Sequence, residues 1–202
     1  MGGPVEILSH LAISQDYMQT VTKSQVLDDL REHFKRVVDG IGTPIDQGIL
    51  DTVVAFNAIG LYTTASCEGH IDEGLAHPWI DISCEDAEKL AGKIAWKLYE
   101  GKREEEETKR MMQQHRLCLL REEQKLVEFL DAFYQQHRFN YERHLSICRF
   151  SNGAPRIQSY GADHQEFRDT HERAQKLKEY QQEMLRFAEF LRDRFFAGGN
   201  NA

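Results

Sequence analysis

The chain has 202 residues, of which 41% are apolar and 29% charged, with a formal net charge of −8. That length suits one domain, or one domain with an extension, and the acidic balance argues against broad, charge-driven nucleic-acid binding. No apolar run approaches the roughly 20 residues that span a bilayer, so no membrane partner is expected.

Residues 1–23 are weakly patterned and read as a loosely docked arm, with a short helix over 5–11. Ser24 can cap a helix whose Leu27, Leu30, Phe34 and Val37 fall at three- and four-residue steps before Gly40. Gly42-Thr43-Pro44 predicts the next helix start: a cap residue, Pro at the first position and Asp46 in the first turn. Ile49, Val53 and Phe56 form its buried face, and Gly60 stops it. Leu, Tyr and Thr over 61–65 predict a strand, and 66–77 a glycine-containing loop. Over 78–83, Trp79 and Asp81 alternate with Ile80 and Ile82, the pattern of a half-buried strand. Ser83 with Asp86 resembles a capping box, opening a helix that buries Ala87, Leu90, Ala91, Ile94 and Leu98.

The apolar-free run 101–110 is either a linker or an exposed helix; helical spacing returns over 111–137. Residues 145–150 and 155–160, around Asn152-Gly153, predict a hairpin. Phe167, His171, Ala174, Leu177, Met184, Ala188, Leu191 and Phe195 mark a long final helix, and 198–202 read as a disordered tail. The sum is a single α+β domain over 24–197. It has a small antiparallel sheet of about four strands covered by helices, with a long helical extension or hairpin that includes 101–137. The 102–137 and 164–196 helices are expected to pair with each other.

The densest chemistry lies in 61–83. Cys67 and His70, two residues between them, can reach one zinc ion, with His77 and Cys84 as further ligands of a closed site. Cys67 with His70, oriented by Glu68 and Asp72, also offers the residue types of a thiolate nucleophile and base; His77, His144 and His164 are more distant bases. A third reading is a small-ligand or nucleotide site. Ser66, Gly69 and the loop amides would bind, Trp79 would stack, and Asp46, Asp72 and Asp81 would shape the pocket. Arg149, Arg156 and Gln158 join that cleft only if the late hairpin pairs beside the 61–83 strands.

Asp46, Ile49, Val53, Asn57, then Tyr62-Thr63-Thr64, Ser66-Cys67, Gly69 and Ile71, with Trp79 downstream, resemble the N-terminal motif of the wybutosine-synthesis transfer-RNA methyltransferase family. The resemblance covers residues 44–83, about a fifth of the chain. It implies S-adenosylmethionine as cofactor and RNA as partner. His70 stands where that family has Arg, and Glu68 where it has Ser, which makes this loop less cationic. The segment Ser66-Cys67-Glu68-Gly69-His70 is also similar to Ser-Cys-Glu-Gly-His segments of bacterial proteins with no assigned function.

The four cysteines, Cys67, Cys84, Cys118 and Cys148, contain no Cys-x-x-Cys pair. With an N-terminus that lacks a basic start and a long apolar core, they read as reduced thiols of a cytoplasmic protein. Lys and Arg on the long helices are interleaved with Glu, as on solvated faces. The reading is therefore a nucleotide- or RNA-modifying enzyme. Its competitor is a non-enzymatic adaptor that recruits a protein partner, or a second copy as a homodimer, through the long helices.

Overall fold

A computed structural model describes residues 21–72, 74–137, 140–149 and 153–198. The expected 5–11 helix, most of the arm, Asn152 and the tail beyond 198 lie outside these residues. Helix α1 spans Lys23–Phe34, α2 Leu50–Ala58, α3 Glu85–Tyr99, α4 Glu106–Gln136 and α5 Thr170–Ala197. Strands β1 (Tyr62–Cys67), β2 (Trp79–Ser83), β3 (Leu145–Arg149) and β4 (Pro155–Ser159) form one antiparallel sheet in the order β1-β2-β4-β3. The expected α+β class, with its four-stranded antiparallel sheet and long final helix, is what the chain adopts.

The late hairpin pairs beside the 61–83 strands, with Trp79 opposite Gln158, Ile80 opposite Ile157 and Asp81 opposite Arg156. Directly opposed residues share a sheet face. Ile80, Ile82 and Ile157 therefore face one way, onto the buried side chains of α2, α4 and α5. Cys67, Trp79, Asp81, Arg156, Gln158 and Cys148 share the opposite, polar face. Phe56, Phe133 and Phe187 meet edge to face in the core at centroid distances of 5.3 to 5.7 Å. A second cluster joins Val26, Leu30 and Phe34 of α1 to Val53 and Val54 of α2 and to Phe195 of α5. The Lys23 ammonium donates to the carbonyls of Phe195 and Gly198, both at 2.8 Å, and so ties the start of α1 to the end of α5.

Four local expectations need correction. Thr22, not Ser24, caps α1, its hydroxyl accepting from the Gln25 amide at 3.2 Å. Thr43-Pro44 does not open a helix. Pro44 bridges to Val38, Asp39 Oδ1 accepts from the Ile41 and Thr43 amides, and α2 starts only at Leu50. The cap of α3 is Cys84, whose sulfur accepts from the Ala87 amide; the Ser83 hydroxyl instead donates to Glu88. The stripe of α3 is not buried as expected. Ala87 is, but Leu90, Ala91 and Ile94 are half-buried and Leu98 is exposed, because α3 packs chiefly on α4. Residues 101–105 form the turn between these two helices, and helix resumes at Glu106. The C-terminal half of α4 packs on α5, as expected; its N-terminal half pairs with α3 to form the helical hairpin.

Candidate functional site

The site is built where β1 ends and the loop to β2 begins. Asn57 of α2 fixes the start of β1: its amide nitrogen donates to the Val53 carbonyl and to Thr63 Oγ1, both at 2.8 Å. At the end of the strand, Gly69 has a φ of +87° and packs so tightly that a Cβ there would lie 2.7 Å from the His77 carbonyl carbon. Only glycine takes that conformation and that approach together without strain. The His70 amide then donates to the Leu75 carbonyl at 2.9 Å, closing the loop on itself.

Asp46 reaches this turn from a distant loop. Its Oδ2 accepts from the Glu68 amide at 3.0 Å and lies 3.4 Å from His70 Nε2. Asp46, Cys67 and His70 each offer one ligand atom, and the three atoms lie within 4.8 Å of one another. Cys67 and Asp46 are partly buried, while the His70 side chain is 44% exposed, so solvent reaches the group. Burial pushes the Cys67 thiol above its ordinary range; the Gly69 amide opposes this at 3.3 Å, and the neighbouring Asp46 carboxylate reinforces it. A thiolate nucleophile needs the opposite environment, with a cation or helix start to lower its pKa. A bound metal ion supplies that positive charge.

The other expected residues fall around this group. The Glu68 carboxylate is taken up by the Gly48 amide at 2.6 Å, and its carbonyl by Gln181 at 3.0 Å, so Glu68 clamps the turn to the loop before α2 and to α5. Ser66 is opposite Ile80, on the other sheet face from Cys67, and Asp72 is exposed. Trp79 and Asp81 are engaged by Arg156, whose guanidinium lies 3.5 Å from the Trp79 ring centre and binds Asp81 through two hydrogen bonds of 2.5 and 2.8 Å. The closed Cys2His2 arrangement does not form. Cys84 caps α3, His77 packs behind Gly69, and among the described residues the metal-capable group is Asp46, Cys67 and His70. His144 stacks on Tyr134 with ring centres 3.4 Å apart, committed to the far edge of the sheet.

Sequence reading counts Asp46 among the residues that shape the pocket, but not as a third ligand beside Cys67 and His70. Its separation of more than 20 residues from the turn leaves no local spacing to detect. Arg173, which donates to the Ile71 carbonyl at 3.1 Å, was read as part of a solvated helix face. No protein-family model, curated protein or solved structure matches this chain. Among the described residues no helix is long and apolar enough to cross a membrane.

Proposed function

We propose that Asp46, Cys67 and His70 form an open, mononuclear metal centre, best suited to zinc, in an enzyme that acts on a small nucleotide-like molecule. The carrying observation is the convergence of one carboxylate, one thiol and one imidazole within 4.8 Å at a solvent-reachable turn. Mixed sulfur, nitrogen and oxygen donors suit zinc, and three protein ligands leave a fourth position for water or substrate, as in catalytic rather than structural zinc sites. Bound zinc would act as a Lewis acid there. Glu68 and Gly69 would hold the ligands in place, since the Glu68 amide already orients Asp46.

Native mass spectrometry of protein purified without chelator tests this. One added metal mass per chain is expected, lost in Asp46→Ala, Cys67→Ala and His70→Ala alike. Loading with cobalt(II) should give a thiolate charge-transfer band that Cys67→Ser removes. A metal-free mass with no cobalt band overturns the proposal.

The adaptor reading has its own support. Leu98, Leu117 and Leu120 are 39 to 48% exposed on the α3–α4 hairpin, beside an apolar groove of about 570 Å³. The final helix offers less for a dimer seam, because Leu177, Met184, Leu191 and Phe195 are buried within the chain. Sedimentation velocity across a concentration series tests the hairpin as a contact surface: a mass that stays monomeric removes the homodimer version.

A further inference from the structure

A second feature lies on the polar face of the sheet, behind the turn that carries Cys67 and His70. It is a cleft of about 630 Å³ between the end of that loop, the late hairpin and the first turns of α5. Three guanidinium groups line it: Arg149, Arg156 and Arg173. Two are already balanced, Arg149 by Glu123 and Arg156 by Asp81. Arg173 is different. Its one side-chain hydrogen bond among the described residues goes to the neutral Ile71 carbonyl, and its Nε is buried with no partner.

His77 lines the same cleft and is only 5% exposed, yet neither ring nitrogen has a hydrogen-bond partner. Gln158 approaches the ring without reaching hydrogen-bond geometry, and its amide nitrogen donates to Asp163 at 3.0 Å. Buried polar nitrogens without partners are rare, because each has given up its hydrogen bonds to water without replacement. Here they share one cleft with a guanidinium that forms no ion pair among the described residues; Asp163 lines the cleft too and accepts from Gln158. Guanidinium donors are suited to the geometry of phosphate oxygens.

We infer that this cleft binds the phosphoryl group of a small phosphorylated substrate, with Arg173 Nε and a His77 ring N–H as donors. Burial, and the nearby Arg156, lower the His77 pKa, so the neutral ring offers one donor nitrogen and one acceptor. The acceptor nitrogen suits a hydroxyl of the same ligand. That the phosphate belongs to a substrate rests on the metal-centre reading; the binding itself does not.

The test is calorimetric titration of the full chain with inorganic phosphate, in chelator so that no metal is bound. Saturable millimolar binding is expected, weakened at least tenfold in Arg173→Gln and in His77→Phe, which keeps a ring but removes both nitrogens. Lys178→Gln, exposed on the same helix, should bind as the wild type does. Absence of saturation, or equal binding in Arg173→Gln and His77→Phe once both are shown to be folded, overturns the inference. Acetate binding as tightly as phosphate would assign a carboxylate ligand and also overturn it. Phosphate that binds only with zinc present, and not in Cys67→Ala, would sit on the metal; the cleft would then fail while the metal centre stood. Phosphate binding in a chain that takes up no metal would leave the cleft and remove the metal centre.

Discussion

The loop between β1 and β2 and the hairpin of α3 and α4 are opposites. The loop has no hydrophobic periodicity, yet long-range polar contacts hold it: Asp46 to the Glu68 amide, Gly48 to the Glu68 carboxylate, Gln181 to the Glu68 carbonyl and Arg173 to the Ile71 carbonyl. The hairpin has clear periodicity, yet Leu98, Leu117 and Leu120 remain exposed and its Lys97 pairs with Glu105 and Glu107 in solvent. Periodicity therefore reports that a segment is helical. It does not report how much of the stripe has something to bury it.

The comparison can be broken first on α4, which belongs to both worlds. Leu126 is fully buried against the sheet side of the helix, whereas Leu120 is 39% exposed six residues earlier. Leu126→Ala should cost about 2–5 kcal/mol in chemical denaturation, and Leu120→Ala well under half of that. Equal losses would mean that the hairpin stripe is covered in solution. In the loop, Gly69→Ala should cost about 2–4 kcal/mol, from the strain of a positive φ together with the clash against His77 and Leu177. It should also abolish metal uptake, because the turn that aligns Cys67 with His70 would have to move. A Gly69→Ala chain that melts like the wild type would show that the loop is slack and that its hydrogen bonds do little.

Much of the fold was legible because it rests on local signals. Ile80 and Ile82 alternating with Trp79 and Asp81 marked β2, Gly60 marked the end of α2, and the runs over 145–150 and 155–160 marked the strands of the late hairpin. What connects them was not. That β4 lies beside β2 follows from long-range pairing, and nothing local told that Arg156 would take up both Asp81 and Trp79. The Cys67–His70 half of the candidate site could be read from a spacing of three. Asp46 could be read only as a residue shaping the pocket and not as a ligand beside that pair, because the Pro44–Val38 bridge and the Asp39-centred turn before it mimic a helix start in sequence.

A smaller effect sharpens the view that polar contacts, as well as apolar ones, order this molecule. Glu183 of α5 is fully buried, accepts from the Tyr134 hydroxyl at 3.0 Å, and that hydroxyl in turn accepts from the Leu145 amide at 2.7 Å. Burial raises the Glu183 pKa above its ordinary 4.5, with the Tyr134 hydrogen bond pulling the other way. A raised carboxyl pKa contributes stability in full below 4.5 and loses it as pH rises through the folded value. Glu183→Gln keeps an acceptor for Tyr134 without the charge. It should be more stable than the wild type by about 1 kcal/mol at pH 7, with the two melting curves converging in acid. A variant less stable at neutral pH, with the deficit vanishing in acid, would show that the charge itself, through Arg186 at 3.6 Å, holds α5 in place.

The smallest expected change tests the hairpin most directly. Trp96 is 62% exposed and Tyr99 84% exposed, next to each other on α3 with ring centres 5.7 Å apart. If that surface meets only water, Trp96→Ala removes little buried area, and its stability should stay within about 0.5 kcal/mol of the wild type. Because the two aromatic rings and the groove beside them belong to the same two helices, a larger loss cannot come from the core that the sheet provides. It would have to come from a surface that covers Trp96 in solution, and a melting temperature that rises with protein concentration in the wild type but not in Trp96→Ala would identify that surface as a second copy.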